Sequence, residues 1–162
     1  MLAKSLLTLL AAASTALATT DTLHFLYATD SYSGIQNSGH GYSTGFTITD
    51  DDGNTLYNVA DPAGYAPCMT NSEKFQMTSD CWSGTWTFAC ESKFDGSPKL
   101  CSAYDPSGNA LPGKADEDLS FIGIAAGIDG TCTGDFTIAG NTCTADSSFT
   151  IVKHYRGNYQ SV

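Results

Sequence analysis

Six cysteines constrain the fold of this chain more than any other feature of its sequence. No two of them have the C-x-x-C spacing of a zinc ribbon or a thioredoxin-type redox pair. An even number of cysteines in a small secreted protein is typical of a disulfide framework. We therefore predict three structural disulfides, formed by Cys68, Cys81, Cys90, Cys101, Cys132 and Cys143.

The first 18 residues indicate that the protein enters an oxidising compartment. Lys4 precedes a leucine-rich apolar stretch, and residues 16–18 (Ala-Leu-Ala) supply the small residues of a signal peptidase site. The apolar stretch is shorter than the roughly 18 residues of a membrane-spanning helix, and it ends at the polar Thr19. We expect residues 1–18 to be a cleaved signal peptide, and residues 19–162 to be secreted and extracellular, without membrane insertion.

Short segments in which apolar and polar residues alternate predict β-strands, since they are rich in Thr, Tyr, Phe, Ile and Val. Turn signals such as Asp52-Gly53 separate these segments at roughly ten-residue intervals. The sequence predicts an all-β fold, a single disulfide-stapled antiparallel β-barrel or sandwich over residues 19–162. Residues 71–78 could form a turn or two of helix. The predicted strands are residues 23–27, 42–49, 54–59, 82–90, 119–125 and 148–153.

The pairing of the cysteines is less constrained, because six cysteines allow fifteen connectivities. Cys90 and Cys101 stand in strand-like segments on either side of a turn signal at residues 94–98, so we expect them to face each other across a hairpin. Pairing of sequence neighbours is the simplest extension of this reasoning. The expected bridges are Cys68–Cys81, Cys90–Cys101 and Cys132–Cys143.

The balance of charge argues against nucleic acids and anionic membrane surfaces as partners. The chain has 17 acidic and 7 basic residues and a formal charge of -10, and removal of the signal peptide with Lys4 makes this -11. Nucleic-acid binding requires Lys and Arg to replace counterions on the phosphate backbone, so we expect no nucleic-acid partner. A specific partner is expected to be neutral or basic.

One short motif suggests a serine hydrolase. Gly41-Tyr-Ser43-Thr-Gly45 matches the G-x-S-x-G nucleophile elbow, which requires a strand before the serine and a helix after it. Here the strand-like residues 46–49 follow the serine instead. A glycine-rich loop entering a strand is the preferred interpretation, and catalysis by Ser43 is the least favoured function.

Clustered carboxylates suggest a calcium site, since this hard cation prefers oxygen ligands. Asp50, Asp51 and Asp52 precede Gly53, but an EF-hand count places Ile48, which has no ligating atom, at the first position. We expect a hairpin turn, with calcium held between this turn and an acidic loop at residues 116–118 as an alternative. We expect no cofactor and no zinc site, and His24 should face solvent.

Two tryptophans suggest a sugar-binding surface. Trp82 and Trp86 are four residues apart on a predicted strand, so both project to one face. An inward face makes them part of the core, which we favour. An outward face would make them a platform for a cell-wall polysaccharide or a protein partner.

The order of strands and cysteines resembles the Alternaria major allergen family, secreted fungal β-barrel proteins that include plant-cell-death elicitors. Residues 23–27, 42–49, 82–88 and 146–152 resemble family strands, with the last in the place of the closing strand. The resemblance implies bridges Cys68–Cys81 and Cys132–Cys143, whereas Cys90 and Cys101 are additional. The family cysteine that links two subunits has no counterpart in residues 19–67, which implies a monomer or a non-covalent dimer.

These observations lead to three hypotheses of function. The first is a secreted, non-enzymatic fungal effector or elicitor that binds a host extracellular protein or receptor and modulates plant defence. The second is a carbohydrate-binding module or lectin that uses Trp82 and Trp86. The third is a hydrolase that uses Ser43.

Overall fold

The computed structural model describes residues 20–34, 40–62, 68, 73–93, 97–122, 125–139 and 142–155, which form ten β-strands and contain no helix. The signal peptide predicted at residues 1–18 lies outside this set. The strands are β1 (Thr20–Gly34), β2 (His40–Asp50), β3 (Thr55–Val59), β4 (Glu73–Ser79), β5 (Trp86–Ser92), β6 (Pro98–Tyr104), β7 (Ala110–Pro112), β8 (Lys114–Ile122), β9 (Ala125–Ala139) and β10 (Phe149–Tyr155). The all-β prediction is confirmed. Within the described ranges, no helix has the length and apolar character needed to cross a membrane.

The strands form two five-stranded antiparallel sheets. Sheet A has the order β3-β2-β1-β9-β8, and sheet B has the order β10-β4-β5-β6-β7. Among the described strands no closed barrel forms, and the two sheets fit a sandwich. β3 and β10 lie at one edge of the sandwich, where the rings of Tyr57 and Phe149 are 5.6 Å apart.

Alternation of side chains along the strands builds the core. On β5, Trp86, Phe88 and Cys90 are buried, whereas the residues between them are only half-buried. Phe46 of sheet A lies 4.9 Å, ring to ring, from both Phe75 and Phe88 of sheet B. The sheets are therefore held together by aromatic contacts across the sandwich, a geometry that adds to the stabilisation from burial alone.

Several local predictions differ from the structure, among them the expected strand 82–90, which begins only at Trp86. Of the possible helix at residues 71–78, residues 71 and 72 lie outside the described residues, and residues 73–78 lie in β4, where Phe75 and Met77 are buried with the alternation of a strand. The expected strand 119–125 instead covers the end of β8 and the start of β9. Residues 116–118, expected to form an acidic loop, lie within β8.

The three disulfides are present, but the sequential pairing is wrong throughout. The bridges are Cys68–Cys90, Cys81–Cys143 and Cys101–Cys132, and no described cysteine is free. None of the expected pairs Cys68–Cys81, Cys90–Cys101 and Cys132–Cys143 forms.

The reason is that two of the intervening segments are extended strands rather than loops. The whole of β4 lies between Cys68 and Cys81, and the end of β9 follows Cys132 before the chain reaches Cys143. A seven-residue strand spans about 23 Å, far beyond the reach of a disulfide. Cys90 and Cys101 do lie opposite each other on β5 and β6, as predicted.

Both of these facing cysteines are buried between the sheets and bond to other segments. Cys101 on β6 crosses the core to Cys132 on β9, so this bridge joins the two sheets. Cys90 binds Cys68, which precedes β4. Side chains stand roughly perpendicular to a sheet, so a cysteine that points inward can reach the opposite sheet.

Candidate functional site

Trp82 and Trp86 are buried, which confirms the core interpretation of these residues. Their exposed fractions are 6% and 4%. Trp86 begins β5, whereas Trp82 lies in the connection that precedes it. Ring contacts with Phe136 on sheet A fix both indoles, at 5.9 Å for Trp82 and 4.8 Å for Trp86. The indole N–H of Trp82 has no hydrogen-bond acceptor among the described residues.

One residue carries the chain from sheet B to sheet A. β7 ends at Pro112 and β8 begins at Lys114, so Gly113 forms the corner. The amide of Gly113 donates a 2.8 Å hydrogen bond to the carbonyl of Cys101. A Cβ atom at this position would lie 2.5 Å from the Cys101 Sγ and 2.6 Å from the Thr133 carbonyl oxygen, so only glycine fits.

A cleft of about 580 Å³ lies between the two sheets, with Leu111 of β7 among its lining residues. Its apolar surface comes from side chains of both sheets, including the two indoles. Its rim consists of the β4–β5 connection and the β6–β7 turn. The principal lining residues are Trp82, Trp86, Pro106, Leu111, Phe136 and Ile138.

The last residues of β9 form an unpaired edge beside the cleft. The first residue of β8, Lys114, lies opposite Thr133, and the pairing of β8 with β9 goes no further toward the C-terminus of β9. The residues that precede Lys114 belong to β7 in the other sheet. Residues 135–139 still pair with β1 on their other side. No described strand pairs with the second side of this segment, which lines the cleft.

Two observations show which peptide groups face this edge. The carbonyl of Gly130 accepts a hydrogen bond from Thr29 of β1, whereas the carbonyl of Thr133 lies beside Gly113, away from β1. Peptide groups alternate in direction along an antiparallel strand. The N–H and C=O groups of Asp135, Thr137 and Ala139 therefore point away from β1, toward the open edge.

The β6–β7 turn holds a carboxylate at the rim of the cleft. Asp105 accepts hydrogen bonds from the amides of Ser107 and Asn109 and from the Asn109 side chain, at 2.7–2.9 Å. The Asn109 side chain makes the largest contribution to holding the pKa of Asp105 below its ordinary value. The turn therefore presents a fixed, ionised carboxylate.

His24 links two carboxylates on the outer face of sheet A. Its Nδ1 lies 2.7 Å from Asp135 and its Nε2 lies 3.0 Å from Asp51. The hydrogen bond to Asp135 is the main reason that the pKa of His24 is raised. The prediction that His24 faces solvent is correct, since its side chain is 38% exposed, but the two carboxylate partners were missed.

The Asp50–Asp52 segment forms the expected hairpin turn between β2 and β3. Gly53 has a φ of 82°, and the Asp50 carboxylate accepts hydrogen bonds from the amides of Asp52 and Asn54 and from the Asn54 side chain. These bonds, chiefly that of the Asn54 side chain, lower the pKa of Asp50. The residues described by the structure contain no group of three or more His, Cys, Asp or Glu arranged to hold a metal ion.

Ser43 lies within β2, opposite Asp30 of β1. The glycine-rich loop expected around it is therefore strand, and the strand continues to Asp50. A nucleophile elbow needs a sharp turn at the serine with a helix following it. The backbone at Ser43 has neither feature.

A second groove, of about 500 Å³, lies on the outer face of sheet B. Gln76, Thr87 and Tyr104 project into it from β4, β5 and β6, and Lys74 lies at its end. The Gln76 amide donates a 3.4 Å hydrogen bond to the Thr87 hydroxyl. This surface is polar with one half-buried aromatic ring, unlike the apolar cleft between the sheets.

Comparison of the chain with protein-family models, with curated proteins and with solved structures found no match. Sequence reasoning identified the turns and the buried tryptophans but missed the cleft. The usable signal was Gly113, a glycine directly after Pro112 between two strand-like segments.

Proposed function

We propose that this chain is a secreted, non-enzymatic binding protein of the effector or elicitor type, which recognises a host extracellular protein and modulates plant defence. The single observation that carries the binding role is the cleft between the sheets, whose apolar floor and open strand edge are held by paired strands and turns. A rigid concave site with few polar groups is typical of ligand recognition. The three disulfides are compatible with an extracellular location.

The carboxylates at the cleft favour recognition over catalysis. A general acid requires a raised pKa, whereas the hydrogen bonds from Asn109 lower the pKa of Asp105. Asp135 is engaged by His24. Both groups are suited to presenting negative charge to a partner.

The link to plant defence is supported by the resemblance to the Alternaria major allergen family. Of the features that make up this resemblance, the β architecture fits the sandwich, whereas the two implied bridges are replaced by other pairings. The host partner is therefore proposed from strand order and predicted secretion rather than from disulfide pattern.

Infiltration of purified residues 19–162 into leaves tests the proposal. We expect cell death or a defence response at micromolar dose, and loss of this response after reduction and alkylation of the cysteines. Asn109→Ala, which loosens the turn at the cleft, should weaken the response, whereas Asn54→Ala loosens a similar turn between β2 and β3 and should not. Absence of any response, together with no captured host protein, would reject the proposal.

Carbohydrate binding is a second candidate, now favoured by a different surface. The burial of Trp82 and Trp86 removes the exposed tryptophan platform. The groove on sheet B instead offers Tyr104 beside the polar Gln76 and Thr87, a combination that suits a sugar ring. Retention on chitin, cellulose or glucan should then fall in Tyr104→Ala, and retention that is equal in this variant and the wild type would exclude the groove.

A further inference from the structure

The open edge of β9 lies where the chain departs from the register of its own sheet. β8 runs antiparallel to β9 and pairs with it up to Thr133. If β8 extended further toward its N-terminus, its added residues would lie opposite residues 134–139. Instead, the residues before Gly113 form β7 in the other sheet. The register beside Asp135–Ala139 is left without a described strand.

We propose that this edge binds an extended segment of a partner protein by β-strand addition, with a basic side chain of that segment beside Asp135. The proposal rests on the binding function proposed above and specifies the chemistry of the partner. The added strand occupies the register that β8 leaves and runs in the same direction as β8. Main-chain hydrogen bonds to Asp135, Thr137 and Ala139 supply the attachment.

The alternation of β9 determines which side chains the added strand needs. Phe136 and Ile138 are buried and face the core, whereas Asp135, Thr137 and Ala139 are exposed on the outer face. Residues opposite each other on neighbouring strands project to the same face. Read from its N-terminus, the partner segment is therefore apolar opposite Ile138, polar opposite Thr137, apolar opposite Phe136 and basic opposite Asp135.

The charge around the cleft selects a basic segment over a second copy of this chain. Asp105 and Asp135 border the cleft, and no Lys, Arg or His is among the residues that line it, although His24 already contacts the Asp135 carboxylate on the outer face of sheet A. Two copies of a protein with a formal charge of -10 repel each other. A polysaccharide would leave the three N–H and three C=O groups of the edge without the regular partners that a peptide backbone supplies.

The probe is an acetylated and amidated hexapeptide, Thr-Val-Thr-Val-Lys-Thr, titrated into the full secreted protein while tryptophan fluorescence is recorded. Trp82 and Trp86 line the cleft, so binding should change their emission. N-methylation of the third and fifth peptide residues removes the N–H groups that face β9 and should weaken binding by about tenfold or more. N-methylation of the second and fourth residues removes N–H groups that face away and should have less than about a threefold effect.

Two protein variants test the same edge from the other side. Thr137→Pro removes an N–H that points away from β1, so the pairing of β9 with β1 is kept while peptide binding is lost. Asp135→Asn should weaken binding of the Lys peptide but not of a peptide with Gln in its place. Asp61→Asn, an identical charge change at an exposed position that does not line the cleft, is the matched control and should bind as the wild type does.

The outcomes separate the alternatives. Equal weakening by both N-methylated peptides, unaltered binding by folded Thr137→Pro, or no binding at millimolar peptide would overturn strand addition. Competition by soluble glucan would assign the cleft to a polysaccharide, and peptide-sensitive dimers in sedimentation would assign it to a second copy. Tighter peptide binding after removal of residues 156–162 would assign the edge to the protein's own C-terminal segment.

Failure of this inference is distinguishable from failure of the proposed function. A leaf response that persists when peptide binding is absent rejects strand addition alone. Peptide binding without any leaf response rejects the role in plant defence alone.

Discussion

Two turns of this protein use the same five-residue pattern, Asp-x-x-Gly-Asn. It occurs at residues 50–54 and again at residues 105–109. In both, the aspartate accepts hydrogen bonds from two backbone amides and the asparagine side chain, and the glycine has a positive φ, 82° at Gly53 and 89° at Gly108. The pattern is local, so the two turns can be predicted from the sequence. Their different locations in the fold cannot be predicted in this way.

Removal of the asparagine side chain should have the same cost to stability in both turns but different effects on function. Asn54→Ala and Asn109→Ala each delete one hydrogen bond to an aspartate, so both should lower the melting temperature by a similar few degrees. Only Asn109 holds a turn that forms part of the rim of the cleft, so only Asn109→Ala should weaken hexapeptide binding. Equal loss of binding in the two variants would contradict a role for this rim.

The His24 bridge predicts that the stability of the protein decreases as the pH rises above 6.5. Because the pKa of His24 is raised from 6.5 in the folded protein, its stabilising contribution is complete below pH 6.5 and is lost as pH rises through the raised value. The melting temperature should therefore fall as the pH rises above 6.5, and the fall should be smaller in His24→Gln. His154→Gln, at an exposed position on β10, should retain the wild-type profile.

The lowered pKa values of Asp50 and Asp105 affect the stability of the protein in a separate, acidic pH range. Their contribution is present above the ordinary value of 3.8 and is lost as pH falls below it, through the lowered folded-state values. The contributions of the two aspartates at acidic pH and of His24 at higher pH can therefore be measured separately in one protein.

At the scale of the elements, most strands could be predicted but the contacts between them could not. The period-two pattern identifies β1, β2 and β10. Local capping signals predict a possible helix over residues 71–78, because such signals say nothing about the sheet that buries Phe75 and Met77. Cysteine pairing was missed for the same reason, since it depends on which strands face each other.

Peptide mapping distinguishes the two disulfide patterns. Trypsin cleavage without reduction releases residues 115–153, which contain Cys132 and Cys143. The bridges Cys81–Cys143 and Cys101–Cys132 attach this peptide to two others, whereas sequential pairing would leave it unattached. We expect mass spectrometry to find it only in a cross-linked species, and its recovery as a separate oxidised peptide would contradict the observed pairing.

The corner between β7 and β8 should tolerate no side chain. Gly113→Ala introduces a Cβ against the Cys101 sulfur and the Thr133 carbonyl, which we expect to reduce the free energy of unfolding by about 1–3 kcal/mol. Gly45→Ala is the control, because a Cβ there makes only an ordinary 3.7 Å contact with the Val59 carbonyl. Urea denaturation of both variants measures the difference, and equal stability would show that the corner can relax.

At the scale of the whole molecule, the site could not be predicted because it is a property of the topology. Trp82, Trp86 and Phe136 are separately identifiable as core residues. Their position beside an open edge depends on β8 beginning only at Lys114, opposite Thr133, while β9 continues to Ala139. Neither bound is visible in the local pattern of residues, so the sequence predicted a binding protein without its binding surface.

The overall negative charge predicts how binding responds to salt. Association of the Lys hexapeptide should weaken as sodium chloride rises from about 0.05 M to about 0.5 M, because screening reduces the attraction of the acidic molecule. The Gln hexapeptide should show a smaller change. Titrations at several salt concentrations measure both, and identical salt dependence would contradict an electrostatic contribution.

The pairing of β1 with β9 determines when this protein can finish folding as its chain is synthesised. Thr20 pairs with Ala139, so the strand that is made first remains without one neighbour until most of the chain has followed. Cys68 and Cys81 emerge before their partners Cys90 and Cys143, and each is then the nearest available thiol to the other. A bridge formed early between Cys68 and Cys81 would have to be exchanged before the observed pairing is reached, and the set is complete only once Cys143 is present.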